Sequence, residues 1–199
     1  MRKMTNVVAT QKRTVVTTQE KKGLGVQSLI LIAVLLAAGA VLKLTVSSFL
    51  TFADMKPNFM IAMYCLAIIL TRPKIYQAAI IGILTGLISQ IPMLNATPLV
   101  NIPSEFVGAL VCGVLLAAFM RIAPKNFGLQ NVVFPLIITF ISTAFSGYTF
   151  ALIVGSVMNG LPVAAVFATY AVMVVGTASM NCALVDILTP VLKKALKLV

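Results

Sequence analysis

Thirteen of the fifteen lysines and arginines in this chain are confined to four short polar stretches, and long apolar runs fill the spaces between them. The basic stretches are residues 2–22, 72–74, 121–125 and 193–197; Lys43 and Lys56 stand apart. In a membrane protein the loops rich in Lys and Arg stay cytoplasmic. Counting runs and breaks on that rule predicts six crossings with both termini inside. The expected fold is all-α: a six-transmembrane-helix bundle in the plasma membrane of a bacterial cell.

Composition leads to the same class. The chain is 60% hydrophobic, its mean hydropathy is +1.08, and only 10% of its residues are charged, where soluble domains carry about 25%. A net charge of +11 on a soluble protein would point to nucleic acid, but the inside-positive bias accounts for nearly all of it here. Cys65, Cys112 and Cys182 all fall in apolar runs without metal-type spacing and read as small packing residues.

The expected spans are residues 24–42, 57–71, 75–93, 104–120, 132–155 and 162–192, forming one membrane domain over 23–199. Residues 1–22 are polar and basic and read as a disordered cytoplasmic tail. Ala38-Gly-Ala40 has the look of a signal-peptide cleavage site, but the basic region is long and five more spans follow, so the first run reads as a span. The run 57–71 covers only about 22 Å of a hydrocarbon layer near 30 Å, and the segment after Pro103 reads as similarly short. Irregular backbone at membrane depth survives only inside protein or along a wet cavity. Two short helices starting on the outer side therefore predict a cavity open to the exterior.

Chemistry is sparse. There is no histidine, the four acids are Glu20, Asp54, Glu105 and Asp186, and no phosphate-binding glycine loop is present. No nucleophile, metal set or carboxylate pair supports catalysis, so no enzyme and no cofactor is expected. The outer side instead carries Asp54, Lys56 and Asn58 after Phe49 and Phe52, then Asn95, Thr97, Asn101 and Glu105, then Tyr148, Ser156 and Asn159. Carboxylate, ammonium, amide and aromatic groups together suit an aromatic zwitterion. On this reading Lys56, Asn58, Asn101, Glu105, Tyr148 and Asn159 bind the solute: Glu105 takes an ammonium, Lys56 a carboxylate, and the rings a planar side chain. Asp186 reads as a structural partner of Lys193 or Lys194, or as a snorkelling side chain, and Asn181 as a bond between helices.

Small residues supply the remaining signal. Ala33, Ala37 and Ala40 share one stripe of the first span, and Gly82 and Gly86 form another in the third. Such stripes let helix backbones approach closely, within one chain or against a partner.

A six-span chain with an Ala-x-x-x-Ala first helix resembles the S components of energy-coupling factor (ECF) transporters. Met55-Lys-Pro-Asn-Phe59, residues 72–74 (Arg-Pro-Lys), Asn101-Ile-Pro103 and the run 82–89 resemble more narrowly the tryptophan transporter family TrpP, from about residue 26 onward. The resemblance implies an S-component-type bundle that captures tryptophan from outside. It also implies docking through Ala33 and Ala37 on a transmembrane coupling protein that carries two ATPases. The chain has no tryptophan of its own, which suits an importer made when tryptophan is scarce. The alternatives are an S component for another solute, such as a vitamin or modified base, and a membrane scaffold with no solute.

Overall fold

Residues 60–70 are apolar on every side apart from one tyrosine hydroxyl, and a helix with no polar face has to be enclosed. In the computed structural model, which describes residues 24–50, 56–91, 94, 97–122 and 129–196 (backbone only at 47 and 48), that segment is the centre of the molecule. The expected tail 1–22, and Phe52, Asp54 and Asn95 of the expected outer loops, lie outside the described residues. Six helices follow one another: α1 (Val26–Phe49), α2 (Met60–Thr71), α3 (Ile75–Ile88), α4 (Asn101–Ile122), α5 (Phe134–Leu152) and α6 (Val163–Ala195). No strand occurs among the described residues. Every residue of α2 from Met60 to Leu70 is buried, and α1, α3, α4, α5 and α6 all pack on it.

Four segments, Val26–Val46, Pro98–Ile122, Leu129–Met158 and Val163–Ala195, are long and apolar enough to cross a membrane; α2 and α3 are shorter. Their outward faces are apolar, with Ile30 and Val34 on α1, Phe140 and Phe145 on α5, and Val172 and Ile187 on α6 exposed. The interior holds the polar side chains, the reverse of a soluble domain and the arrangement lipid favours.

Several boundaries differ from the expected ones for identifiable reasons. α1 runs past residue 42 to Phe49, so Lys43 sits inside a helix and not in a loop. α4 starts at Asn101 with 22 residues, because Pro103 lies in its first turn, where the missing N–H has no helical partner to lose. The segment after Pro103 is therefore full length, and the second short helix is α3, with 14 residues. α2 ends where Arg72 turns left-handed (φ 47°), its N–H bonded to the Ile68 carbonyl at 2.9 Å, and Pro73 blocks any further turn. α3 restarts at once: its Gln77 side chain accepts the Lys74 N–H at 2.9 Å. Both short helices thus leave the basic break at 72–74 and stop after about 18–21 Å. They meet at their far ends, where the Ser89 hydroxyl donates to the Met60 sulfur at 3.3 Å.

The glycine stripe of α3 is a packing surface. A Cβ on Gly82 would lie 2.6 Å from the Glu105 carbonyl, and one on Gly86 2.6 Å from Ile102 Cα, so α3 and α4 touch backbone to backbone. The alanine stripe does the opposite: Ala33 and Ala37 are exposed on the outer face of α1. Cys65, Cys112 and Cys182 are buried, in line with a packing role. At the basic end Arg72 donates to the Gln130 side chain at 3.2 Å. Lys193 bonds to Asn131 and to the Gln130 carbonyl, so its partners lie on the segment leading into α5 and not at Asp186.

Candidate functional site

A carboxylate with no exposed surface stands one turn into α4. Glu105 is fully buried, and Asn58, just before α2, donates its amide to Glu105 Oε1 at 2.5 Å. The same Asn58 accepts the Met60 N–H through its side chain at 3.3 Å, ordering the entry to α2. Its backbone carbonyl accepts the Asn181 amide from α6 at 3.1 Å. Asn181 also reaches the Thr143 hydroxyl on α5 at 3.3 Å. A polar chain therefore joins α4, the start of α2, α6 and α5 through the centre of an apolar molecule.

α5 supplies a hydroxyl stripe. Thr139, Ser142, Thr143 and Ser146 recur at helical spacing and are all buried on the side facing α2. The Ser146 and Tyr64 hydroxyls lie beside the Glu105 carboxylate. Gly108, one turn below Glu105, makes room for this: a Cβ there would collide with the Tyr64 hydroxyl and come within 2.8 Å of Ser146 Cβ. α1 contributes Lys43, which is 5% exposed and close enough for its charge to act on Glu105.

Much of this polar surface is unsatisfied. Lys43 Nζ, Asn101 Nδ2 and Asn181 Oδ1 are buried with no hydrogen-bond partner, and Tyr64 Oη, Glu105 Oε2 and Ser142 Oγ have polar neighbours but no well-aligned bond. Leaving one such group unpaired costs about 1–3 kcal/mol, and a charged one more. Six such atoms, contributed by α1, α2, α4, α5 and α6, are donors and acceptors that a polar ligand could pair.

The expected site residues divide into two groups. Asn58, Asn101 and Glu105 come together: Asn101 and Glu105 lie one turn apart on α4, both buried, and Asn58 bonds to Glu105. Lys56 and Asn159 are exposed. Tyr148 is half-buried, with its ring 4.8 Å from that of Phe167. Asn181 bonds between helices as expected. Sequence reasoning missed Lys43, Tyr64, Gly108 and the α5 hydroxyls as site residues. Two signals were available: a lone tyrosine in an otherwise apolar helix needs a partner for its hydroxyl, and Ser/Thr residues at positions 139, 142, 143 and 146 form one helical stripe.

Residues 25–197 match the family model described as tryptophan transporter TrpP. Neither the curated proteins nor the solved structures yield a match. The matched range spans all six helices and every member of the buried polar cluster. The chain is a multi-pass membrane protein and belongs to the TrpP family of tryptophan transporters.

Proposed function

We propose that the chain is the substrate-binding membrane subunit for tryptophan uptake, and that the Glu105 cluster is its binding site. The observation that carries this is the set of unpartnered polar atoms around a fully buried carboxylate, close to a bonded amide network. Glu105 accepts the α-ammonium of the solute, Asn58 holds the Glu105 side chain in place, and Asn101 with the α5 hydroxyls supplies further bonds. Lys56, Tyr148 and Asn159 line the approach. The site opens to the exterior, both termini are cytoplasmic, and residues 23–199 act as one membrane domain in the cell membrane. Two features support this orientation: Arg72, Lys74, Arg121 and Lys193 bound the opposite helix ends, and the two short helices stop on the site's side.

In the same reading, uptake is driven by an ECF-type coupling protein with two ATPases, docked on α1 through Ala33 and Ala37. Support comes from their exposure on a face that no other helix among the described residues covers. The test is saturable binding of radiolabelled tryptophan to the purified full chain. Glu105→Gln should weaken it by about 1.5–3 kcal/mol, the worth of a charge-assisted hydrogen bond. Unaltered affinity would remove Glu105 from the site, and saturable binding of a vitamin or modified base in place of tryptophan would move the chain to another solute class.

A further inference from the structure

Lys43 is the residue that the solute-binding reading leaves without a task. It lies six residues from the end of α1, its side chain is 95% enclosed, and its ammonium is buried with no hydrogen-bond partner. It senses the charge of Glu105, yet the two form no ion pair within 4 Å, and Glu105 Oε2 is itself unpartnered. The Glu105 carboxylate has the Asn58 amide and the neighbouring Ser146 and Tyr64 hydroxyls, but the Lys43 ammonium has given up its hydration with no partner in return, which costs free energy. The other buried cation among the described residues, Lys193, is at the opposite end of the bundle and already bonded to Asn131 and Gln130. Lys56, two residues before Asn58, is exposed and can remain hydrated.

We propose that Lys43 is the specificity-determining cation of the site: its ammonium takes the α-carboxylate of an amino-acid zwitterion whose α-ammonium is held by Glu105. This rests on the tryptophan-binding reading above. The two opposite charges of an α-amino acid sit on adjacent groups and match one buried carboxylate and one buried ammonium that form no ion pair with each other. Binding then gives Lys43 Nζ and Glu105 Oε2 their partners at once and keeps the buried site neutral. A solute lacking the carboxylate would add a net positive charge to the interior, and one lacking the ammonium a net negative charge, each opposed by desolvation. Discrimination would thus act on the amino-acid end of the solute independently of what recognises the indole. Because Lys43 belongs to α1, the helix that carries Ala33 and Ala37 on its outer face, the same bond ties solute occupancy to the position of that helix.

The test is equilibrium binding of tryptophan and tryptophanamide, which lacks the carboxylate, to the purified full chain and to its Lys43→Met and Lys43→Arg variants. The wild type should bind tryptophanamide on the order of 10- to 100-fold more weakly than tryptophan. Lys43→Met should abolish or reverse the preference, because a site left with Glu105 alone is neutralised by the amide cation and not by the zwitterion, and Lys43→Arg should keep part of the wild-type difference. Lys43→Met retaining the wild-type preference would overturn the assignment. The wild-type comparison needs no variant to fold: equal binding of both solutes by the wild type overturns the role of Lys43 and leaves tryptophan binding in place. A wild type that binds neither solute removes the functional reading itself, and this assignment with it.

Discussion

Asn58 and Glu105, 47 residues apart, share a 2.5 Å hydrogen bond that joins the lead-in of α2 to the first turns of α4 inside an apolar bundle. Because Asn58 also accepts the Met60 N–H and an amide of Asn181, this one side chain and its carbonyl hold three helices in register. Asn58→Ala removes the bond to a charged acceptor and leaves Glu105 with less support. Tryptophan affinity and the stability of the purified protein should both fall, by about 1.5–3 kcal/mol. Titration binding and thermal unfolding in detergent measure the two; unchanged affinity would take Asn58 out of the site.

Gly86 and Ala33 are both small residues on stripes, but the structure gives them opposite surroundings. A side chain at Gly86 would meet the backbone of Ile102 and Asn101, which cannot yield without parting α3 from α4. Gly86→Leu should cost about 1–3 kcal/mol or more from overpacking and lower the melting temperature and the folded yield.

Ala33→Trp and Ala37→Trp place bulk on an exposed face, so folding and tryptophan binding should be unchanged. Uptake by cells should be abolished if that face docks a coupling protein. Equal loss of binding and uptake would contradict docking there.

Gly108 and Tyr64 are coupled through a single contact, the phenol hydroxyl occupying the space a Cβ would need. Gly108→Ala alone should destabilise the protein, and Tyr64→Phe should recover part of that loss by removing the obstructing oxygen. A double-mutant cycle on thermal stability should give a coupling of about 0.5–3 kcal/mol; strictly additive effects would show that the two residues do not meet.

Lys193 tests the separation of the two ends. Lys193→Met removes its bonds to Asn131 and Gln130 and should lower stability by about 1–2 kcal/mol. Tryptophan affinity should not change, because the proposed site lies at the other end of the bundle. A parallel loss of affinity would mean the two clusters are linked.

The sequence marked Glu105 because it is an ionisable group at the end of a span, and Asn58 and Asn101 because they belong to the polar set of the outer loops. It misjudged Lys43 for a related reason. A lysine at the edge of an apolar run looks like the end of a span, and only the continuation of α1 to Phe49 shows that it points inward. Pro103 misled in the same way: a proline marks a helix start only to within a turn, so the length of α4 could not be read from it. The two small-residue stripes looked equivalent in one dimension, and the opposed faces of α1 and α3 separate them.

The order of apolar and basic segments alone determined that this chain is helical and membrane-embedded. Transfer from water to lipid and the pairing of backbone N–H and C=O groups act on each segment by itself, so composition suffices. Which polar groups meet was decided only by the packing of six helices. Asn58 finds Glu105 across 47 residues and Asn181 across 123, distances over which no local propensity carries information. The enclosure of α2 brings them together, and Lys43 and Glu105 are buried with them.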